Sequence, residues 1–154
     1  DKLNHLNQHY MRHADPAHLL GLLKLEASEE QKGWILAAMP ELVERATTLI
    51  DLAHEAEFFT NPVVQEDAAP LIADNQDTLR ALLSAFEDAP DFTVETVKSL
   101  CKQVANTLHE GKMGKVGMPL RAALTGRKAS PGIFEIAAIL GRDETCTRLR
   151  NHLN

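Results

Sequence analysis

The sequence predicts an all-α protein, and three observations carry that prediction. Apolar residues recur at helical spacing along most of the chain, most regularly at Val94, Val97, Cys101, Val104 and Leu108. Residues that start and stop helices bracket these stripes. No stretch alternates apolar and polar residues at period two for the length of a strand, and the β-branched residues are scattered. A compact bundle of about eight to ten helices satisfies all three. No self-similarity at a solenoid period appears, so a repeat array is not predicted.

Taken in order, Leu3, Leu6 and Tyr10 mark a short amphipathic helix. Asp15-Pro16 reads as the cap and first residue of a second, with Leu19, Leu20, Leu22 and Leu23 to bury. Ser28 opens a third, with Gln31 placed for a capping box and Trp34 and Ile35 as anchors. Pro40 is expected to restart or kink it. Leu42, Ala46, Leu49, Ala53 and Ala56 then predict one continuous helix, with Arg45 at the border of its apolar arc. Residues 60–75, interrupted by Pro62 and Pro70, predict loops and a short helix. Leu79, Leu82, Leu83 and Phe86 define the next helix, and Thr93 caps the one after it. Gly111 and Gly114 form a flexible joint into a helix carrying Val116, Leu120, Ala123 and Leu124, which Gly126 closes. Ser130 reads as an N-cap and Pro131 as a first helical residue, ahead of Ile133, Ile136, Ala137 and Leu140. Gly141 ends that stripe, and Asp143 caps a last helix with Cys146, Leu149 and Leu153 inward.

The chain has 154 residues, most simply one domain, with a net charge of −6. Residues 1–110 hold 8 Lys and Arg against 19 Asp and Glu, whereas residues 111–154 hold 8 against 3. This asymmetry predicts an acidic helical subdomain, 1–110, and a basic one, 111–154. An acidic body with one basic face repels a polyanion except at the proper dock. No apolar run approaches the ~20 residues that span a bilayer, and no signal peptide is visible, so a cytoplasmic protein without membrane contact is expected. The chain does not begin with Met and is expected to be a processed or excised piece. Cys101 and Cys146 fall on apolar faces and are expected to be buried thiols in a reducing compartment.

Phosphate-cradling, nucleophile-elbow and zinc-protease signatures are all missing. His5, His9 and His13 repeat at helical spacing but lie away from Leu3, Leu6 and Tyr10, with no carboxylate among them, so exposed histidines are expected rather than a metal site. Glu55, Glu57, Glu66 and Asp67 read as a solvated acidic surface, because nothing indicates that they share an apolar pocket.

The basic segment suggests RNA. Binding an unstacked loop needs cations for phosphates, side chains for base edges and a surface for loosened bases. Lys112, Lys115, Arg127 and Lys128 suit the first need, with no acid between Glu110 and Glu135. Arg121 points off its apolar arc and offers a planar fork. The helix start at Ser130 offers the N–H groups of Gly132 and Ile133, and Pro131, Ile133 and Phe134 offer apolar contact. Each has a plainer reading: Ser130-Pro131 as a routine helix entry, Ile133 and Phe134 as core, Arg121 as a surface ion pair.

Three runs carry a family resemblance: P-L-R-A-A-L-T-G (119–126), S-P-G-I-F-E (130–135) and L-G-R-D-E-T (140–145). With K-L-N-H-L-N-Q-H-Y-M (2–11) and E-R-A-T-T-L-I-D-L (44–52) before Phe58-Phe59, the sequence resembles the C-terminal anticodon-binding domain of bacterial glutamyl-tRNA synthetases. The resemblance implies an α-helical domain that binds the anticodon stem-loop of glutamate tRNA and acts as a monomer without contacting DNA. It implies that Arg121, Ser130, Pro131 and Ile133 contact the anticodon, and that Arg45 selects C over G at its third base. The parent enzymes use ATP and magnesium to load glutamate on tRNA. Their nucleotide-binding motifs are absent here, so this chain is expected to need no cofactor and to hold no catalytic residue. Two rival readings are a helical protein-interaction module and a metal-dependent enzyme built on the histidine row.

Overall fold

The computed structural model describes residues 8–154. Among them the structure is all α, with nine α-helices, one 3-10 turn and no strand. It divides into two compact units, residues 1–62 and 63–154. The change in charge at 110/111 falls inside the second unit, where the helices on either side of it pack against each other.

In the first unit, α1 (Gln8–His13) buries Met11 and leaves Tyr10 42% exposed, which corrects the predicted inward face. Leu3 and Leu6 lie outside the described residues. Helix α2 (Pro16–Leu23) starts after Asp15 as predicted but fully buries only Leu19. Helix α3 (Glu29–Glu44) opens with the predicted capping box: the Gln31 N–H donates to Ser28 Oγ at 3.1 Å, and the Ser28 N–H donates to Gln31 Oε1 at 2.9 Å.

The helix expected over 42–56 is two helices. Pro40 sits exposed inside α3, which continues to Glu44 with Arg45 as its C-cap. Helix α4 (Leu49–Ala56) starts afresh at Thr48, whose Oγ1 accepts the Asp51 N–H at 3.1 Å. Asp51 also accepts the Thr47 hydroxyl at 2.6 Å, so local polar groups outbid the apolar stripe that ran across the break. A 3-10 turn (Glu57–Phe59) then seats Phe58 and Phe59 in the core, their ring centroids 4.3 Å apart.

In the second unit, α5 (Ala69–Ala73), α6 (Gln76–Glu87) and α7 (Val94–Leu108) follow as predicted. Thr93 caps α7 by accepting the Thr96 N–H at 3.2 Å. Helix α8 (Gly114–Thr125) and α9 (Ile133–Arg150) pack on each other and on α6 and α7. Helix α9 is bent at Gly141, where φ 84 and ψ 169 leave the helical region, and the hydroxyl of Thr145 spans the bend to the Ala137 carbonyl at 3.2 Å. The core of this unit includes Leu79, Leu82, Phe86, Cys101, Leu120, Leu124, Ile136 and Leu149. Burial pushes the Cys101 thiol up to about 12, which keeps it protonated and inert. No helix among the described residues is long and apolar enough to cross a membrane.

Candidate nucleic-acid interface

The basic segment folds around the link between α8 and α9. Helix α8 ends at Gly126, whose φ of 76 suits glycine and whose N–H donates to the Ala122 carbonyl at 2.8 Å. A Cβ at this position would sit 2.2 Å from the Val63 carbonyl oxygen, so the turn rests directly on the backbone of residues 63–65. The Gln65 N–H donates to the Gly126 carbonyl at 2.8 Å and fixes that contact. The buried Thr125 hydroxyl donates to the Arg121 carbonyl at 2.7 Å and accepts the Arg127 N–H at 3.1 Å. The turn is therefore held from several sides, and Arg127 and Lys128 leave it in a defined direction.

Arg121 and Ser130 meet across this link. Arg121 is half-buried, and its Nε donates to Ser130 Oγ at 2.9 Å while one terminal nitrogen lies 3.5 Å from Met118 Sδ. Ser130 Oγ in turn donates to the Pro131 carbonyl at 2.8 Å. Ser130 is thus a brace for a guanidinium and not the N-cap. The cap is Gly132, and the helix begins at Ile133, two residues later than predicted. Pro131 stays outside the helix because its ring and the extended Gly132 (φ −51, ψ 127) precede the first helical turn. The Glu135 carboxylate folds back over the helix start, 2.2 Å from where a Gly132 Cβ would lie, the position a capping carboxylate takes against the positive helix end.

Pro131 is buried and Ile133 only 4% exposed, so neither offers an open apolar platform. Gly132 is exposed and Phe134 half-buried. Lys112 and Lys115 are exposed at the start of α8, whereas Arg127 and Lys128 follow its end. Helix α8 is twelve residues long, about 18 Å at ~1.5 Å per residue, with one pair at each end. These four cations are divided between the two ends of α8 rather than gathered in a single patch.

Arg45 belongs to the first unit. Its Nε pairs with Glu55 Oε1 at 2.9 Å, with side-chain exposures of 36% and 23%. His9 and His13 are exposed, their rings edge-on at 4.6 Å, and among the described residues no three His, Cys, Asp or Glu side chains gather as a metal set. His5 lies outside the described residues.

Sequence reasoning passed over Arg148. It is 5% exposed, donates through one terminal nitrogen to the Leu124 carbonyl at 2.8 Å and through Nε to Glu144 Oε2 at 2.8 Å. The signal for it was the Glu144/Arg148 pair at i,i+4 beside the inward Cys146 and Leu149.

A family model described as anticodon binding domain matches residues 5–153. Glutamate–tRNA ligase 1 of Beijerinckia indica is 40% identical over 97% of this chain, which covers 35% of that protein. The glutamate–tRNA ligase of Bradyrhizobium diazoefficiens is 38% identical, again over 97% of this chain and 35% of its own length. The crystal structure of a glutamate tRNA ligase from Elizabethkingia meningosepticum in complex with its amino acid superposes with a TM-score of 0.75 at 25% identity, covering 95% of this chain and 30% of that one. The chain spans about a third of the length of these relatives.

Proposed function

We propose, for a chain that belongs to the anticodon binding domain family, that it recognises the anticodon stem-loop of glutamate tRNA on behalf of a glutamate–tRNA ligase. The single observation that carries this reading is the family match, which runs from residue 5 to residue 153. The geometry agrees with it. Arg121 is steered by a neutral hydroxyl, so its planar fork is oriented before a base arrives, which lowers the ordering cost of reading that base. Arg127 and Lys128, beyond the anchored turn, and Lys112 and Lys115, at the far end of α8, attract backbone phosphates along a track. Pro131 and Ile133 are buried at this corner and belong to its support. Arg45 reads the third anticodon base once its guanidinium turns from Glu55 to the base edge.

In this reading the domain itself performs no chemistry. ATP and magnesium serve glutamate activation in the catalytic part of the ligase, and no step here runs through them. The domain works as a monomer in the cytoplasm. A salt-titrated binding assay with glutamate tRNA and a variant carrying G at the third anticodon position tests the proposal. Tighter binding of the C-bearing tRNA, weakening as salt rises, is the expected result. Equal binding of both at every salt concentration would overturn it.

A further inference from the structure

We infer that Arg148, buried beneath the α8–α9 link, is a positioning residue for anticodon reading. The inference rests on the role proposed above. The last carbonyls of a helix have no partner within it. Leu124 is in the last turn of α8, and its carbonyl accepts the Arg148 guanidinium, which reaches it from the far half of α9. Glu144, one turn earlier in α9, holds Arg148 through Nε. Arg148 is buried and Glu144 half-exposed, and an ion pair of this kind is weak evidence for net stability. What it does supply is direction, because a guanidinium accepts few alternative geometries.

The direction matters because Leu124 is joined to a residue with ties both ways along the chain. The Thr125 hydroxyl links the carbonyl of Arg121, one turn back, to the N–H of Arg127, two residues on. A shift of the Leu124–Thr125 peptide therefore moves the base-reading arginine and the cationic segment together. Arg148 touches neither base nor phosphate and acts through this peptide. The bend at Gly141 brings it there, since Thr145 and Arg148 both lie beyond that residue.

The test uses the purified chain, an anticodon stem-loop with the glutamate anticodon, and its single-base anticodon variants. Arg148→Met is expected to weaken cognate binding about tenfold and to narrow discrimination among the variants. Arg148→Lys, which keeps a donor for Leu124, is expected to restore part of both. Val97→Ala in α7 supplies a control that lowers stability without touching the link. Glu144→Gln, at a half-exposed helix position, keeps the fold and is expected to weaken cognate binding by about two- to threefold. If Arg148→Met does not fold, Glu144→Gln decides alone. Unchanged affinity and discrimination in the folded variants would overturn the inference and leave the proposed function standing. A wild-type chain that bound every loop alike would overturn both.

Discussion

In the proposed reading two arginines read bases, and the two units hold them in different ways. Arg45 caps a helix at the surface and gives its Nε to a carboxylate. Arg121 lies half-buried within a helix and gives its Nε to a hydroxyl. A carboxylate competes with a base for the guanidinium, so Arg45 must exchange one partner for another. The Ser130 hydroxyl fixes the direction of the Arg121 guanidinium through Nε, so this side chain is held in place before a base arrives. The first arrangement suits selection between two bases, because only a base that outbids Glu55 releases the side chain. The second suits a fixed contact common to every accepted loop. The surroundings follow the same division. Arg121 belongs to a turn anchored on backbone at Val63 and Gln65, whereas Arg45 stands at a break between two helices held by Thr47, Thr48 and Asp51.

The sharpest way to break this contrast is to loosen the anchored turn. Gly126→Ala places a Cβ against the Val63 carbonyl and forces an L residue to φ 76. A loss of about 2–4 kcal/mol in urea unfolding of the second unit is expected. A loss within about 0.5 kcal/mol, the ordinary range for neutral surface changes, would show that the turn adapts and that Arg121 is not held as argued. Next comes selection. Arg45→Gln is expected to relax preference for C at the third anticodon position by about 1–3 kcal/mol while leaving affinity for the variant loop nearly intact. Equal losses for cognate and variant would make Arg45 a general contact like Arg121. A smaller effect is expected from Lys128→Ala, which should weaken all loops alike and reduce the salt slope by about one. A slope equal to wild type would remove Lys128 from the phosphate track.

The smallest expected effect concerns acid. His152 is half-buried, and that burial lowers its pKa from 6.5 while a hydrogen bond with the Ala123 backbone opposes the shift. The unfolded imidazole takes up a proton near 6.5 and the folded one resists, so stability present above that pH is lost as pH falls from 6.5 toward the folded value. In the first unit, Asp51 is held below 3.8 chiefly by the Thr47 hydroxyl, so its contribution persists to far lower pH. Urea midpoints measured from about pH 7.5 down to about pH 5 are expected to fall for the second unit in the wild type and to flatten in His152→Gln. A parallel fall in that variant would place the sensitivity elsewhere.

Much of the fold was legible in short-range signals. Ser28 with Gln31, and Thr93, each declared a helix start through side-chain caps that depend on a few neighbours, and Pro16 marked another although Asp15 makes no side-chain cap. The failures came where two local signals competed. An apolar stripe ran across 42–56, but Thr48 and Asp51 also formed a cap signature, and the cap won. Ser130-Pro131 looked like a helix entry, yet the Ser130 hydroxyl was drawn to Arg121, a residue nine positions away, and the helix began at Ile133. Among the candidate site residues, sequence placed Arg121 beside Ser130 only through resemblance, since periodicity says nothing of contacts between helices. Arg148 was missed because an arginine next to Leu149 reads as solvated until a carbonyl of another helix is known to face it.

Gly141 has space around it. A Cβ there would meet nothing within 4 Å, so the position has room for any side chain. What it forbids is handedness: φ 84 with ψ 169 is open to a residue without a side chain and closed to ordinary L residues. The path that carries the end of α9 back under α8 is therefore set by chirality at one residue, and a change there would fail for a stereochemical reason that no measure of space reveals.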